Sequence, residues 1–168
     1  EKLCNHTTIK VSGPWPLIIE PKNEKQVTPI LRLIKETETP YTILGNGTNV
    51  LVLDEGLQKV VVKIGDEMTS LSLEGEDVII CSAGTKVVTL CRFALENSLS
   101  GLEFAYGIPG TCGGAVFMNA GAYKSDMGYI VSEVKVLTPD LKVKKLYNKD
   151  MKFKYRTSFL KDNPDYIC

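Results

Sequence analysis

The segment Gly107-Ile108-Pro109-Gly110-Thr111-Cys112-Gly113-Gly114-Ala115 constrains this chain more than any other stretch. Four glycines fall within eight positions. In a purely structural helix each would cost about 1 kcal/mol relative to alanine. Such a sequence makes sense where something presses closely on the backbone. Pro109 is placed to open a helix, because a proline at the first helical position lacks only an N–H that has no partner there. The helix start would present free amides and the positive end of the dipole to an anion. Asn119-Ala120-Gly121-Ala122-Tyr123 continues the small-residue surface and adds an amide and a phenol.

A second glycine loop, Gly45-Asn46-Gly47-Thr48-Asn49, follows the apolar run Tyr41-Thr42-Ile43-Leu44. Successive amides in such a loop can form an anion-binding nest. Thr48 and Asn49 add side-chain donors. No Gly-Lys-Ser/Thr follows, so it is not a Walker A loop, and Val50 stands where the Rossmann fingerprint needs its third glycine. Taken alone, the loop reads first as a tight turn, with the anion nest as the other reading. Taken together, the two loops favour a phosphate-bearing cofactor over structural turns.

The first half reads as strand, helix, strand. Leu17-Ile18-Ile19 is a short apolar run closed by Pro21. Asn23 stands three residues before Gln26, as in a capping box. Val27, Ile30, Leu31 and Ile34 follow at helical spacing, and Pro40 closes the segment. Val50-Leu51-Val52-Leu53 is apolar, Asp54-Glu55-Gly56 reads as a turn, and Lys59 to Ile64 as a strand. Strands alternating with a helix predict a small α/β lobe with parallel pairing. Gly65-Asp66-Glu67 is the boundary expected from the sequence, giving lobes at 1–66 and 67–168. Beyond it, Leu71-Ser72-Leu73 and Val78 to Cys81 predict an antiparallel pair. Thr85 is expected to cap a helix with Val88, Cys91, Ala94 and Leu95 on one face. Val131–Val136, Pro139-Asp140 and Val143–Tyr147 predict a hairpin with one buried face.

Composition narrows the function classes. Twenty Lys and Arg balance twenty Asp and Glu, which removes the electrostatic footprint of a nucleic-acid binder. No apolar run approaches the roughly 18 residues needed to cross a bilayer, and no signal peptide is visible. Five cysteines without C-x-x-C spacing, and a single histidine, His6, give no support to a metal site or a disulfide scaffold. Reduced thiols in the cytoplasm are the expectation. Tyr155-Arg156-Thr157-Ser158 remains. A lone arginine is usually a solvated charge, yet its fork of donors suits a carboxylate or a developing enolate.

These segments, in this order, resemble the flavin-binding part of the UDP-N-acetylenolpyruvoylglucosamine reductases (MurB), type II. The matching residues are His6-Thr7-Thr8, Ser12-Gly13-Pro14, Ile43 to Val52, Asp54-Glu55-Gly56, Ala83-Gly84, Gly101 to Ala105, Gly107 to Gly110, Gly113 to Ala115, Asn119 to Tyr123 and Tyr155 to Ser158. The resemblance implies an α+β, two-lobed FAD-binding fold of the PCMH/MurB type, with a small α/β lobe and an antiparallel-sheet lobe carrying helices. It implies FAD as cofactor, with Gly45, Asn46, Gly47, Thr48 and Asn49 on the pyrophosphate. Ile108, Pro109, Gly110, Thr111, Gly113, Gly114, Ala120, Gly121 and Tyr123 would line the adenosine and flavin region. Arg156 matches the catalytic arginine that stabilises enolate-like charge. NADPH would be the reductant, a UDP-sugar enolpyruvyl ether the substrate and peptidoglycan the destination. No metal, protein partner or membrane is implied.

Two departures qualify the match. The family has Gly-Gly where this chain has Lys124-Ser125, and prefers glycine where Ser12 stands. By resemblance, a further domain would supply a serine proton donor and a catalytic glutamate that have no counterpart here; Ser158 belongs to the arginine motif. The expected function is therefore the FAD-binding part of the reductase, inactive alone, or alternatively a truncated paralogue acting as a flavin-binding module. Gly110→Val is expected to abolish flavin binding and leave the chain folded.

Overall fold

The structure is a computed structural model that describes Thr7, residues 17–52 and residues 56–168. The matches and calls at His6, Thr8, Ser12 to Pro14 and Asp54-Glu55 lie outside the described residues. The chain forms two compact units, Glu1–Met68 and Thr69–Cys168. Among the described residues, no helix is long and apolar enough to cross a membrane.

The first unit holds β1 (Leu17–Ile19), α1 (Glu24–Glu36), β2 (Tyr41–Leu44) and β3 (Val60–Lys63). Both outer strands pair with β3 in parallel, in the order β1-β3-β2. Val61 and Val62 are both fully buried. Consecutive strand residues point to opposite faces, so β3 is covered on both, as a central parallel strand must be. Helix α1 starts because the Asn23 side chain accepts the Gln26 N–H at 3.2 Å. The Gln26 side-chain Oε1 accepts from Lys22 N–H at 2.8 Å, one residue earlier than a regular capping box requires. Val27, Leu31 and Ile34 form its buried stripe. Leu44 and Val52 pack with Val61 in a small core.

The second unit opens with an antiparallel pair, β4 (Leu71–Glu74) and β5 (Val78–Cys81). Helices α2 (Val87–Glu96) and α3 (Cys112–Phe117) follow. The short hairpin β6 (Gly121–Ala122) and β7 (Ser125–Asp126) comes next, then the longer one, β8 (Glu133–Leu137) and β9 (Val143–Tyr147). Two single turns of helix, α4 (Asn148–Met151) and α5 (Phe159–Asp162), complete the order. The elements surround a core that includes Val87, Ala105, Val136, Met151 and Leu160. Ile167 exchanges backbone hydrogen bonds with Leu137 at 2.8 and 3.0 Å, fastening the last residues to β8.

Helix α2 differs from the sequence expectation. Its buried residues are Val87, Leu90, Cys91 and Ala94, while Leu95 is 77% exposed. The stripe at i, i+3, i+4 and i+7 starts from Val87 rather than Val88. Thr85 does not cap the helix. It is fully buried, and its hydroxyl donates to the Ser70 carbonyl at 3.1 Å.

Candidate functional site

The glycine-rich segment is held by long-range backbone pairing. Val87 N–H donates to Gly110 O at 3.0 Å, Cys112 N–H to Thr85 O at 2.8 Å and Gly113 N–H to Ala83 O at 2.9 Å. Helix α3 therefore begins at Cys112 and not at Pro109. Its cap is Thr111, whose hydroxyl accepts the Gly114 N–H at 3.4 Å. Ala115 N–H returns to Thr111 O at 2.9 Å. The first-turn amides are thus taken by the protein, and the expected row of free donors is absent there. The extended pairing of residues 110–112 with residues 85–87 prevents a helix from starting earlier.

The glycines themselves have separate reasons. A Cβ on Gly113 would lie 2.8 Å from the Ala83 Cβ and 3.2 Å from the Ala83 carbonyl. That close approach explains why Ala83-Gly84 and Gly113-Gly114 belong to one pattern. Gly110 has φ +118°, a conformation that side chains resist. Gly110→Val would therefore strain the backbone whether or not a ligand binds, so it does not isolate ligand contact as expected from sequence. Gly107 differs from these: nothing lies within 4 Å of the place its Cβ would take. Pro109 and Gly114 are exposed, Ile108 and Gly110 half-buried.

The end of α3 leads into the other candidate residues. Asn119 is 2% exposed and has φ +43°. Its Nδ2 donates to Lys154 O at 2.9 Å, and its Oδ1 accepts the Gly128 N–H at 2.9 Å. One buried amide thus joins the turn that follows β7 to the turn carrying Arg156. That turn is closed by reciprocal bonds between Lys154 and Thr157, both 3.1 Å. Arg156 Nη2 donates to Gly121 O at 2.8 Å, and Lys161 Nζ to Arg156 O at 3.1 Å. The guanidinium also sits 5.5 Å from the centroid of the Tyr155 ring. Ser158 is fully buried and donates to Phe117 O at 2.7 Å, so its hydroxyl is structural.

Around these residues lies an open pocket of about 400 Å³. Its lining includes Asn119, Gly121, Tyr123, Lys124, Tyr155 and Arg156. The structure thereby brings Gly121, Tyr123 and Arg156 together, although the arginine is 35 residues from Gly121 in sequence. Ala120 adjoins this group. Residues 108–114 do not line the pocket. Gly45, Asn46, Gly47, Thr48 and Asn49 belong to the first unit, immediately after the carboxyl end of β2. Ligands of parallel sheets bind outside the carboxyl ends of strands. Gly47 is buried there with φ +62°. Asp126 and Tyr129 also line the pocket, and sequence reasoning missed both. The Asp126 carboxylate accepts the Gly128 N–H, and the D-x-G spacing is the signal that would have found this turn.

Four cysteines are described, Cys81, Cys91, Cys112 and Cys168, and all four are free thiols. The neighbouring Cys112 thiol holds Cys81 below the ordinary thiol range, while Cys81 and burial drive Cys112 above it. Burial pushes Cys168 up to about 12. Among the described residues, no three His, Cys, Asp or Glu side chains group to hold a metal ion.

Comparison with known proteins fits this geometry. The profile of the FAD binding domain family matches residues 15–147. The chain belongs to the FAD binding domain family, and FAD is its cofactor. It is 42% identical over 168 residues to the UDP-N-acetylenolpyruvoylglucosamine reductase of Bacillus velezensis and 44% identical to that of Bacillus subtilis. In both cases the match covers 100% of this chain and 55% of the relative. The chain thus spans about half the length of the curated relatives it matches. The crystal structure of the same reductase (MurB) from Thermus caldophilus superimposes with a TM-score of 0.75 at 33% identity, over 99% of this chain and 57% of that one. A cholesterol oxidase from Brevibacterium sterolicum shares the fold alone, with a TM-score of 0.59 at 12% identity over 77% of this chain and 29% of that one. The resemblance read from the motifs, the α+β FAD-binding fold and the flavin cofactor are borne out.

Proposed function

We propose that this chain is the FAD-holding part of an NADPH-dependent reductase acting on the enolpyruvyl ether of UDP-N-acetylglucosamine. The observation that carries the reading is the Arg156 pocket, where a guanidinium, three tyrosines and the Gly121 backbone converge. Two surfaces suit a bound dinucleotide. One is the loop Gly45–Asn49 at a strand's carboxyl end, where backbone amides and the Thr48 and Asn49 side chains would hold the pyrophosphate. The other is the segment 107–110 with Gly114, where Gly107, Pro109 and Gly114 are exposed and the open space at Gly107 admits close approach. Ala120, Gly121 and Tyr123 would flank the ring system. When bound, FAD supplies the hydride chemistry; the protein supplies position and field.

Arg156 would act on charge. One arm of its guanidinium is fixed by Gly121 O, which orients the rest of the fork before a ligand arrives. A fixed cation facing an enolate-like oxygen needs no reorganisation as charge develops. Asn119 acts behind it by tying Lys154 to Gly128. The reduced thiols Cys81, Cys91, Cys112 and Cys168 support a cytoplasmic setting.

The test has two parts. The purified chain is titrated with FAD and, separately, with riboflavin. Tighter binding of FAD, seen as a perturbed flavin spectrum, supports the reading; no spectral response to FAD overturns it. Arg156→Met in the purified reductase is then expected to lower substrate-dependent NADPH oxidation by about 10²- to 10³-fold, the usual loss for one oriented donor. Unchanged turnover would remove Arg156 from the mechanism.

A further inference from the structure

The hairpin β6–β7 closes on two residues, Tyr123 and Lys124, with φ of +49° and +65°. Two-residue turns with both central φ values positive strongly prefer Asn-Gly, because other residues are strained there. This chain keeps a tyrosine and a lysine. The side chains do not serve the fold: Tyr123 is 90% exposed, and Lys124 has no hydrogen bond or ion pair among the described residues. Of the eight described non-glycine residues at positive φ, four line the Arg156 pocket: Asn119, Tyr123, Lys124 and Arg156. Strain gathered in this way marks a place where side-chain position matters more than local comfort.

We propose that Lys124 is a ligand-contacting, specificity-determining cation which, with Arg156, selects a ligand that carries an anionic oxygen group, a phosphate or a carboxylate. The inference deepens the reading above and rests on it for the part played by Arg156. The pocket's charges favour an anion. Lys124 and Arg156 line it, and the Lys161 ammonium sits at the Arg156 carbonyl. Asp126 is the carboxylate in the lining, and it accepts the Gly128 N–H. Arginine offers a planar fork that fits paired oxygens, whereas lysine offers a compact charge on a flexible stem. Together they suit a multiply charged group better than either alone.

The two sources of such a group are separable with paired ligands. NADP⁺ differs from NAD⁺ by a phosphate, and UDP-N-acetylmuramate differs from UDP-N-acetylglucosamine by a lactyl carboxylate. Each pair is titrated by calorimetry at low salt, with and without FAD, against the parent and three variants. The parent is expected to prefer the more anionic member of at least one pair. Lys124→Asn tolerates the left-handed conformation but lacks the charge, and is expected to lose about tenfold of that preference. Lys124→Arg is expected to keep it. Lys124→Gly is expected to lose the preference while its Tm rises by roughly 2–4 °C as strain is relieved. That opposition of signs would not follow from a structural role. Equal preference in parent and Lys124→Asn, a parent that discriminates in neither pair, or a fall in Tm for Lys124→Gly would each overturn the proposal. A parent that ignores FAD yet discriminates within a pair would overturn the flavin reading and leave this one standing.

Discussion

Gly113 offers the sharpest test of why the glycine-rich segment has its composition. In Gly113→Ala the new methyl would lie 2.8 Å from Ala83 Cβ, 3.2 Å from Ala83 O and 3.3 Å from Ala83 Cα. Carbon atoms in good contact sit about 3.5–4.0 Å apart. The neighbour cannot simply retreat, because Gly113 N–H is bonded to Ala83 O at 2.9 Å and Cys112 N–H to Thr85 O at 2.8 Å. Overpacking of this kind costs about 1–3 kcal/mol. Alanine returns up to about 1 kcal/mol of helix propensity. From the middle of the first range, about 2 kcal/mol, the net loss is about 1–2 kcal/mol, or a fall in Tm of roughly 2–8 °C. Urea unfolding followed by circular dichroism measures it. Adding Ala83→Gly removes the tightest contact and leaves the two at 3.2 and 3.3 Å, so the double variant should regain about half of the loss. A Gly113→Ala chain as stable as the parent, or a coupling energy indistinguishable from zero, would refute the packing argument. Weaker FAD binding at full stability would show instead that this glycine serves the ligand.

Three further expectations follow from named contacts. Asn119→Ala should cost about 2–4 kcal/mol, since it breaks two buried hydrogen bonds and leaves alanine in a left-handed conformation; Asn119→Gly should cost less, and urea midpoints rank the two. Cys81 should be the first of the four described cysteines to react with iodoacetamide near pH 7.5, because its thiol alone is shifted downward, and peptide mass spectrometry that finds Cys112 or Cys168 labelled first would contradict this. Asp140 is held down to about 2 from 3.8 by Lys142 and Thr138, so its contribution is present above about pH 4 and is lost as pH falls toward 2. Tm profiles of parent and Asp140→Asn should differ slightly at neutral pH and merge by about pH 2.

What the sequence made legible was local or repetitive. Leu17–Ile19, Tyr41–Leu44 and Val60–Lys63 were readable as strands because apolar β-branched runs stood between clear breakers. The Asn23 cap and the Val134, Val136 and Leu146 face of the second hairpin followed from spacing alone. Long-range pairing was not legible. Nothing near Pro109 announces that residues 83–87 will occupy the amides of residues 112 and 113. For the same reason, a helix start expected at the proline falls three residues later, at Cys112. Leu95 carried the right hydrophobicity for a core, but the start of α2 one residue earlier turned it outward. The Arg156 pocket was visible only as a resemblance between motifs. Its geometry depends on a contact spanning 35 residues and on positive φ values at Tyr123, Lys124 and Arg156, residue types that do not advertise that conformation.

The order of the first sheet bears on how the chain is made. Strands β1 and β2 emerge from a ribosome before β3, yet each has β3 as its partner. Until Val60–Lys63 clears the exit tunnel, both apolar segments lack the strand they pair with. A pause in translation before residue 60 would leave them exposed to chaperones or to neighbouring nascent chains. The sheet has no strand pairing until the last of its three strands is made, because that strand is the partner of both others.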